Sequence, residues 1–175
     1  GWAKWLWGSM GWAMFGPIGG IMGYALGSMS RNTQGFHSSY RGYGGDARTQ
    51  AGDFGAAMLI LFGAVMKADN ELKKSELEFV KKFLVQQFNI NYAQDRMQLF
   101  KEILKQNYPL KDVCMQIKAN MDHASRLQMI HVLFGLSQAD GHVHPLEVKV
   151  IHTIANYLGI SGSDFESIHA MFYKN

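Results

Sequence analysis

Four carboxylates stand at matching places in two copies of one short pattern. Ala68-Asp69-Asn70, followed by Glu76, recurs 71 residues later as Ala139-Asp140-Gly141, followed by Glu147. In each copy an apolar stretch ends at Ala-Asp, a residue type that tolerates a left-handed helix stop follows, and an acid falls in the first turn of the next helix. Gathered in pairs, Asp69, Glu76, Asp140 and Glu147 would offer the oxygen ligands that a hard divalent cation, Ca²⁺ or Mg²⁺, requires. A plainer role competes with that one. An acid at a helix N-terminus is stabilised by the helix dipole, and an aspartate in a turn bonds its own backbone, so neither needs a metal. His142 and His144 beside Asp140 are too few for a zinc centre, which wants three or four protein ligands. His131, His152 and His169 are spread along helices, and nothing near Cys114 in sequence would activate its thiol. Phosphate loop, nucleophile elbow and zincin motifs are all missing, so the chain reads as a non-enzyme.

The elements that must position these acids are helices. Residues 53–175 form an all-α region in which apolar residues recur at helical spacing and strand alternation is nearly missing. Asp53 is expected to cap an apolar helix running to about Ala68. Ser75 with Glu78 and Asn91 with Gln94 match the capping-box pattern at two further helix starts. Pro109 and Pro145 suit first helical turns, Gly159 a helix stop, and Ser161 with Asp164 a last short helix. This amounts to about seven helices with an internal pseudo-twofold repeat, enough to bury one core. Met58, Met66, Met97, Met115 and Met129 serve as adaptable packing within it.

Ahead of this domain lie two segments of different character. Residues 1–30 hold all four tryptophans, Trp2, Trp5, Trp7 and Trp12, and residues 5–30 carry no charge. A helix of that length exceeds the roughly 30 Å of a hydrocarbon core, and tryptophan gathers at membrane interfaces. Gly16, Gly19, Gly20, Gly23 and Gly27 strip side chains from one face, as in helices that associate closely in lipid. The segment is expected to anchor the chain and drive homo-oligomerisation, as one helix or as a hairpin broken at Pro17. The alternative is a soluble or secreted scaffold whose hydrophobic arm forms a protein-only oligomer core. A secretory signal peptide fits poorly because the stretch is heavy in Gly and Trp. Myristoylation at Gly1 fails because Leu6 stands where Ser or Thr is wanted.

Residues 31–52 read as a flexible linker of Gly, Ser, Asn, Gln and Arg. Arg31, Arg41 and Arg48 follow the uncharged run while Lys4 precedes it, which places residues 31–175 in the cytoplasm by the positive-inside rule. The formal charge of the chain is +3, and it belongs to the first 52 residues; residues 53–175 carry thirteen Lys and Arg against thirteen Asp and Glu. A folded module without a basic excess is no nucleic-acid binder.

The stretch Ala139-Asp140-Gly141-His142-Val143-His144-Pro145-Leu146-Glu147, continuing to Tyr157-Leu158-Gly159-Ile160-Ser161, resembles the second repeat of TerB-type domains. The version in membrane-anchored DnaJ-like co-chaperones of the DjlA type is the most similar. Lys67-Ala68-Asp69-Asn70 through Glu76 resembles the first repeat, with Asn70 where Gly is commoner. Gly16-Pro17-Ile18-Gly19-Gly20-Ile21-Met22-Gly23 resembles the anchors that precede such domains. The resemblance implies a helical fold, anchoring in a bacterial inner membrane, and a link to stress response and tellurite resistance. It also implies a metal-binding role for Asp69, Glu76, Asp140 and Glu147. Co-chaperones of that type end in a J domain, whose His-Pro-Asp tripeptide stimulates a DnaK-type ATPase. Here His144-Pro145 is followed by Leu146 and lies inside the second repeat, so a J domain is expected to be absent from this chain. A chaperone partner would then depend on such a domain following Asn175 in the gene product.

Overall fold

The computed structural model describes the backbone of residues 11–32, 46–87 and 90–173, and the side chains of 11–29, 52–87 and 94–173. Among the described residues there are eight α-helices and no strands: α1 (Gly16–Asn32), α2 (Asp46–Met66), α3 (Lys74–Gln87), α4 (Ile90–Leu104), α5 (Leu110–Asn120), α6 (His123–Ser137), α7 (Pro145–Tyr157) and α8 (Gly162–Phe172). The seven from α2 onward match the number read from the sequence. The chain forms two compact units, one of residues 1–60 with 84–108 and one of residues 61–83 with 109–175. Helices α2 and α3 contribute to both.

In the first unit α1 packs chiefly against α4. Ile18, Ile21, Met22, Ala25, Leu26 and Met29 recur at helical spacing and bury one face. On the other side Gly20, Gly23 and Tyr24 face solvent. Pro17 sits in the first turn of α1, where its missing N–H has no partner to lose, so the helix continues unbroken and no hairpin forms there. The glycines that read as one stripe divide by cause. Gly16 adopts φ 64° at the helix entry, and a Cβ at Gly19 would lie 2.2 Å from the Met14 carbonyl oxygen. Those two serve the chain's own turn, whereas Gly20, Gly23 and Gly27 border open space.

Asp53 departs from expectation. It lies in the interior of α2, because the helix begins seven residues earlier at Asp46, inside the stretch read as linker. The Asp53 carboxylate instead accepts the Gly11 and Ala13 N–H groups at 2.7 and 3.3 Å, tying the entry to α1 onto α2. Burial pushes its pKa up, partly offset by the N–H donors of Gly11, Ala13 and Trp12. From Ala56 to Phe62 every residue of α2 is buried, so this helix is apolar all round and shows no polar stripe. Tyr108 Oη donates to the Ile60 carbonyl at 2.7 Å, and Gln106 Nε2 to that of Ile21 at 3.0 Å.

In the second unit α6 lies against α7 and α8, and α5 against α7. Gly135 in α6 makes room for Phe79 of α3, whose ring would stand 3.0 Å from a Cβ there. Phe79 and Phe83 both meet Phe62 edge-on. Phe134 centres a second aromatic group with Phe165 and Phe172. Local chemistry sets the helix ends. Asp122 caps α6 by accepting the Ser125 N–H at 2.8 Å, and Ser161 caps α8 through the Asp164 N–H at 3.0 Å. Gly159, at φ 77°, closes α7 while the Ile160 N–H reaches back to the Ala155 carbonyl. Cys114 is buried, and burial pushes its thiol up to about 12, so it stays protonated.

Candidate functional site: a buried acid cluster around Lys73

The sequence repeat is reproduced bond for bond. Past α2, the Ala68 N–H bonds the Val65 carbonyl, Asn70 turns at φ 60°, and its N–H bonds the Lys67 carbonyl. Past α6, the Ala139 N–H bonds the Leu136 carbonyl, Gly141 turns at φ 80°, and its N–H bonds the Gln138 carbonyl. Each aspartate then accepts the N–H two residues on: Glu71 to Asp69 at 3.3 Å, His142 to Asp140 at 3.0 Å. Each also meets a nitrogen four residues on. Lys73 Nζ lies 2.8 Å from Asp69, and His144 Nε2 lies 3.1 Å from both oxygens of Asp140. The same seven-residue device thus ends both helices, with lysine in one copy and histidine in the other.

The second acid of each copy turns inward. Glu76, in the first turn of α3, is 1% exposed, and Glu147, in the first turn of α7, is fully buried. Glu147 is well provided for: Ser137 Oγ donates to one oxygen at 2.8 Å and Lys73 Nζ to the other at 3.2 Å. Lys73 therefore bridges the two copies, from Asp69 to a residue 74 positions away. Neither oxygen of Glu76 receives a donor from the protein. Its neighbour is Glu147, and two carboxyl groups bond only when one keeps a proton. Burial first, then the contact with Glu147, pushes the Glu76 pKa up to about 9, against the opposing pull of Lys73. Glu76 is therefore the protonated member at neutral pH.

The cations of the cluster shift their neighbours. Burial works against the charge on Asp69, but the Lys73 hydrogen bond and charge, with the Glu71 N–H, outweigh it and hold the group below the ordinary carboxylate range. Burial likewise disfavours the Lys73 ammonium, and its bonds to Asp69 and Glu147 more than compensate, holding it above the usual lysine value. Asp140 is lowered in the same way, burial being outweighed by the His142 N–H and by His144.

Of the four acids singled out by sequence, three thus meet around Lys73, while Asp140 is engaged by His144 and the His142 backbone. Lys73 is the member that the sequence reading missed. Its signal was the (i, i+4) spacing from Asp69, the same spacing that relates His144 to Asp140. Among the described residues no group of three or more His, Cys, Asp or Glu is arranged to hold a metal ion. The positive charge amid Asp69 and Glu147 is the chain's own ammonium. Of the tryptophans, Trp12 lies in a 3-10 turn (Trp12–Met14) and is partly buried, whereas Trp2, Trp5 and Trp7 lie outside the described residues. Among the described residues, no helix is long and apolar enough to cross a membrane.

These features define an all-helical module built on two copies of a helix–turn–acid device with a shared buried acid cluster. The chain belongs to the TerB family: the model for tellurite resistance protein TerB matches residues 56–170. Among curated proteins it is similar to the co-chaperone protein DjlA of Vibrio parahaemolyticus, 28% identical over 138 residues (75% of this chain, 48% of the relative). It is similar to that of Vibrio cholerae at 28% over 139 residues (77% and 49%), and to that of Yersinia pestis at 25% over 172 residues (90% and 57%). The chain spans about half the length of these relatives. No solved structure matches it.

Proposed function

We propose that this chain is a non-enzymatic TerB-type module that serves as the regulatory part of a DjlA-like co-chaperone, attached to a bacterial inner membrane and self-associating through residues 1–30. The observation that carries the co-chaperone reading is the family match across residues 56–170 together with the DjlA relatives. Chaperone stimulation itself would come from a J domain, since His144-Pro145 opens α7 here and serves the fold. The expected result is that the purified chain alone leaves the ATPase rate of a DnaK-type chaperone unchanged. Stimulation by this chain would overturn that division of labour.

The uncharged run 5–30 and its tryptophans support membrane attachment. Retention in the membrane fraction after carbonate washing is the expected outcome, and release into the soluble fraction would favour a protein-only oligomer core. The packing of α1 on α4 is the observation in favour of that second reading. In either case the open face of Gly20, Gly23 and Gly27, flanked by exposed Phe15 and Tyr24, suits close approach of a second copy. Gly23→Leu should reduce oligomer size in sedimentation; an unchanged profile would refute it.

Cation binding by Asp69, Glu76 and Glu147, with Asp140 nearby in the repeat, is a further reading, favoured by the two Glu76 oxygens that lack a donor. A divalent ion would have to displace Lys73, so binding of Ca²⁺ or Mg²⁺ should be weak in the natural chain and strengthen in Lys73→Met. Calorimetric titration that shows no heat for either chain would remove this reading.

A further inference from the structure

The acid cluster is closed on two flanks. On one, Lys73 and Asp69 stand between it and solvent, their side chains 11% and 18% exposed. On the other it ends at α6, where the buried Ser137 donates its one hydroxyl proton to Glu147 at 2.8 Å. The last turn of α8 lies over that point. Phe172 stacks on Phe134 at 5.7 Å and meets His131 edge-on at 4.9 Å. Gln138 Nε2, one residue past Ser137, donates to the Phe172 carbonyl. Tyr173 follows, its ring edge-on to Phe134 at 5.9 Å and its phenol oxygen buried. Burial pushes the phenol pKa up; Glu147 and Asp140 add to the rise and the Ser137 hydroxyl opposes it, so all three stand near this oxygen. Yet the oxygen has no hydrogen bond within the protein, and the Ser137 proton is spent on Glu147.

We infer that Phe172 and Tyr173 form a strap over the acid cluster, one that lifts while the rest of α8 stays in place and so opens Ser137 and Glu147 to solvent. The anchorage of α8 divides at this turn. Phe165 and Ile168 are buried and hold the helix upstream, whereas Ala170 and Met171, just ahead of the strap, are exposed. The strap is fastened to α6 by one side-chain hydrogen bond and by ring contacts. Against these stands the Tyr173 phenol, a buried donor without an acceptor, which regains water when the strap lifts. A segment with few buried contacts opens locally, ahead of the helices that carry the core. The strap does not rest on the cation reading above: it governs what reaches Glu147 from the α6 side, water or ion alike.

The test uses the full chain in non-ionic detergent and two thiols in one molecule. Ser137→Cys places a thiol under the strap, while Cys114, buried in α5, reports opening of the second unit as a whole. Labelling with methyl methanethiosulfonate, followed by peptide mass spectrometry, reads both rates. The introduced thiol should react at least about tenfold faster than Cys114. Tyr173→Ala should speed it about tenfold more and leave Cys114 unchanged. Tyr173→Phe, which keeps the ring and removes the unpartnered oxygen, should slow it. Equal rates at the two thiols would overturn the proposal, as would equal acceleration of both by Tyr173→Ala, or a Tyr173→Phe chain as fast as the Tyr173→Ala one. Where Ser137→Cys does not fold, hydrogen exchange without it makes the same comparison. Tyr173→Ala should accelerate the Gln138 N–H, bonded to the Phe134 carbonyl at 3.0 Å, and leave the Met121 N–H, bonded to the Ile117 carbonyl at 2.9 Å, unchanged. Equal change at both amides, or no change at either, would overturn it.

Discussion

Glu76→Gln isolates the proton that the acid cluster holds. Glu76 is 1% exposed, lacks any donor to its oxygens and lies beside Glu147, and its pKa stands at about 9. In the unfolded chain it titrates near an ordinary glutamate value, about 4.3. Between those two values the folded state binds one more proton than the unfolded state, so this group's contribution to stability falls as pH rises, by up to about 1.4 kcal/mol per unit. Below the unfolded value the contribution is fully present, and above about 9 it has been lost. Glutamine is close in size, cannot ionise, and offers Glu147 an N–H where the acid offers its O–H. The variant and the natural chain should therefore have similar stability near pH 4.5 and diverge above it. From pH 5 to pH 8 the gap should widen in favour of Gln by up to about 4 kcal/mol, or about 2 M in the urea midpoint at an m-value near 2 kcal/mol/M. Urea unfolding followed by circular dichroism at several pH values reads the gap directly, since titrations common to both chains cancel. A gap that changes by less than about 1 kcal/mol over that range would mean that Glu76 ionises normally in the fold, and the proton-sharing pair would be wrong.

Lys73→Met removes the ammonium from two acids, one of them fully buried, and should cost about 3–5 kcal/mol at pH 7. A loss under about 1 kcal/mol would contradict the bridging role. Asp122→Ala strips the α6 cap, whose bond to the Ser125 N–H is 2.8 Å, and should lower stability by about 1 kcal/mol in the same assay. Gly159→Ala forces a side chain into φ 77° with its Cβ 3.0 Å from Lys118 Cε, and should cost about 1–2 kcal/mol in thermal unfolding. Asp53→Ala leaves the Gly11 and Ala13 N–H groups without their acceptor; hydrogen exchange at both amides should accelerate while that of α7, in the second unit, does not.

Much of the fold is legible because its signals are short. Ser161 with Asp164, Pro145 and Gly159 mark α7 and α8 within a few residues of where those helices start and stop, since capping is settled between adjacent turns. The acidic repeat is equally local: Asp69 with Lys73 and Asp140 with His144 are each complete within five residues. The errors fell where a local rule met a distant partner. Asp53 looks like a helix cap, yet its carboxylate serves Gly11 and Ala13 some forty residues away, and the polar residues from Asp46 onward continue the helix. The glycine spacing looks like one stripe, yet Gly19 is required by the Met14 carbonyl next to it.

By itself the sequence determined that this protein is helical, that it is built on a repeated Ala-Asp turn with an acid beyond it, and that its net charge and tryptophan lie at one end. Periodicity, capping and the left-handed turn depend on the nearest few side chains, and those are written in order along the chain. Only the tertiary structure decided what the acids face. It brought Glu76 and Glu147 together out of water, set Lys73 between Asp69 and Glu147, and paired Asp140 with His144. Whether an acid holds a proton, an ammonium or a metal depends on burial and on groups many residues away, and neither quantity is carried by spacing.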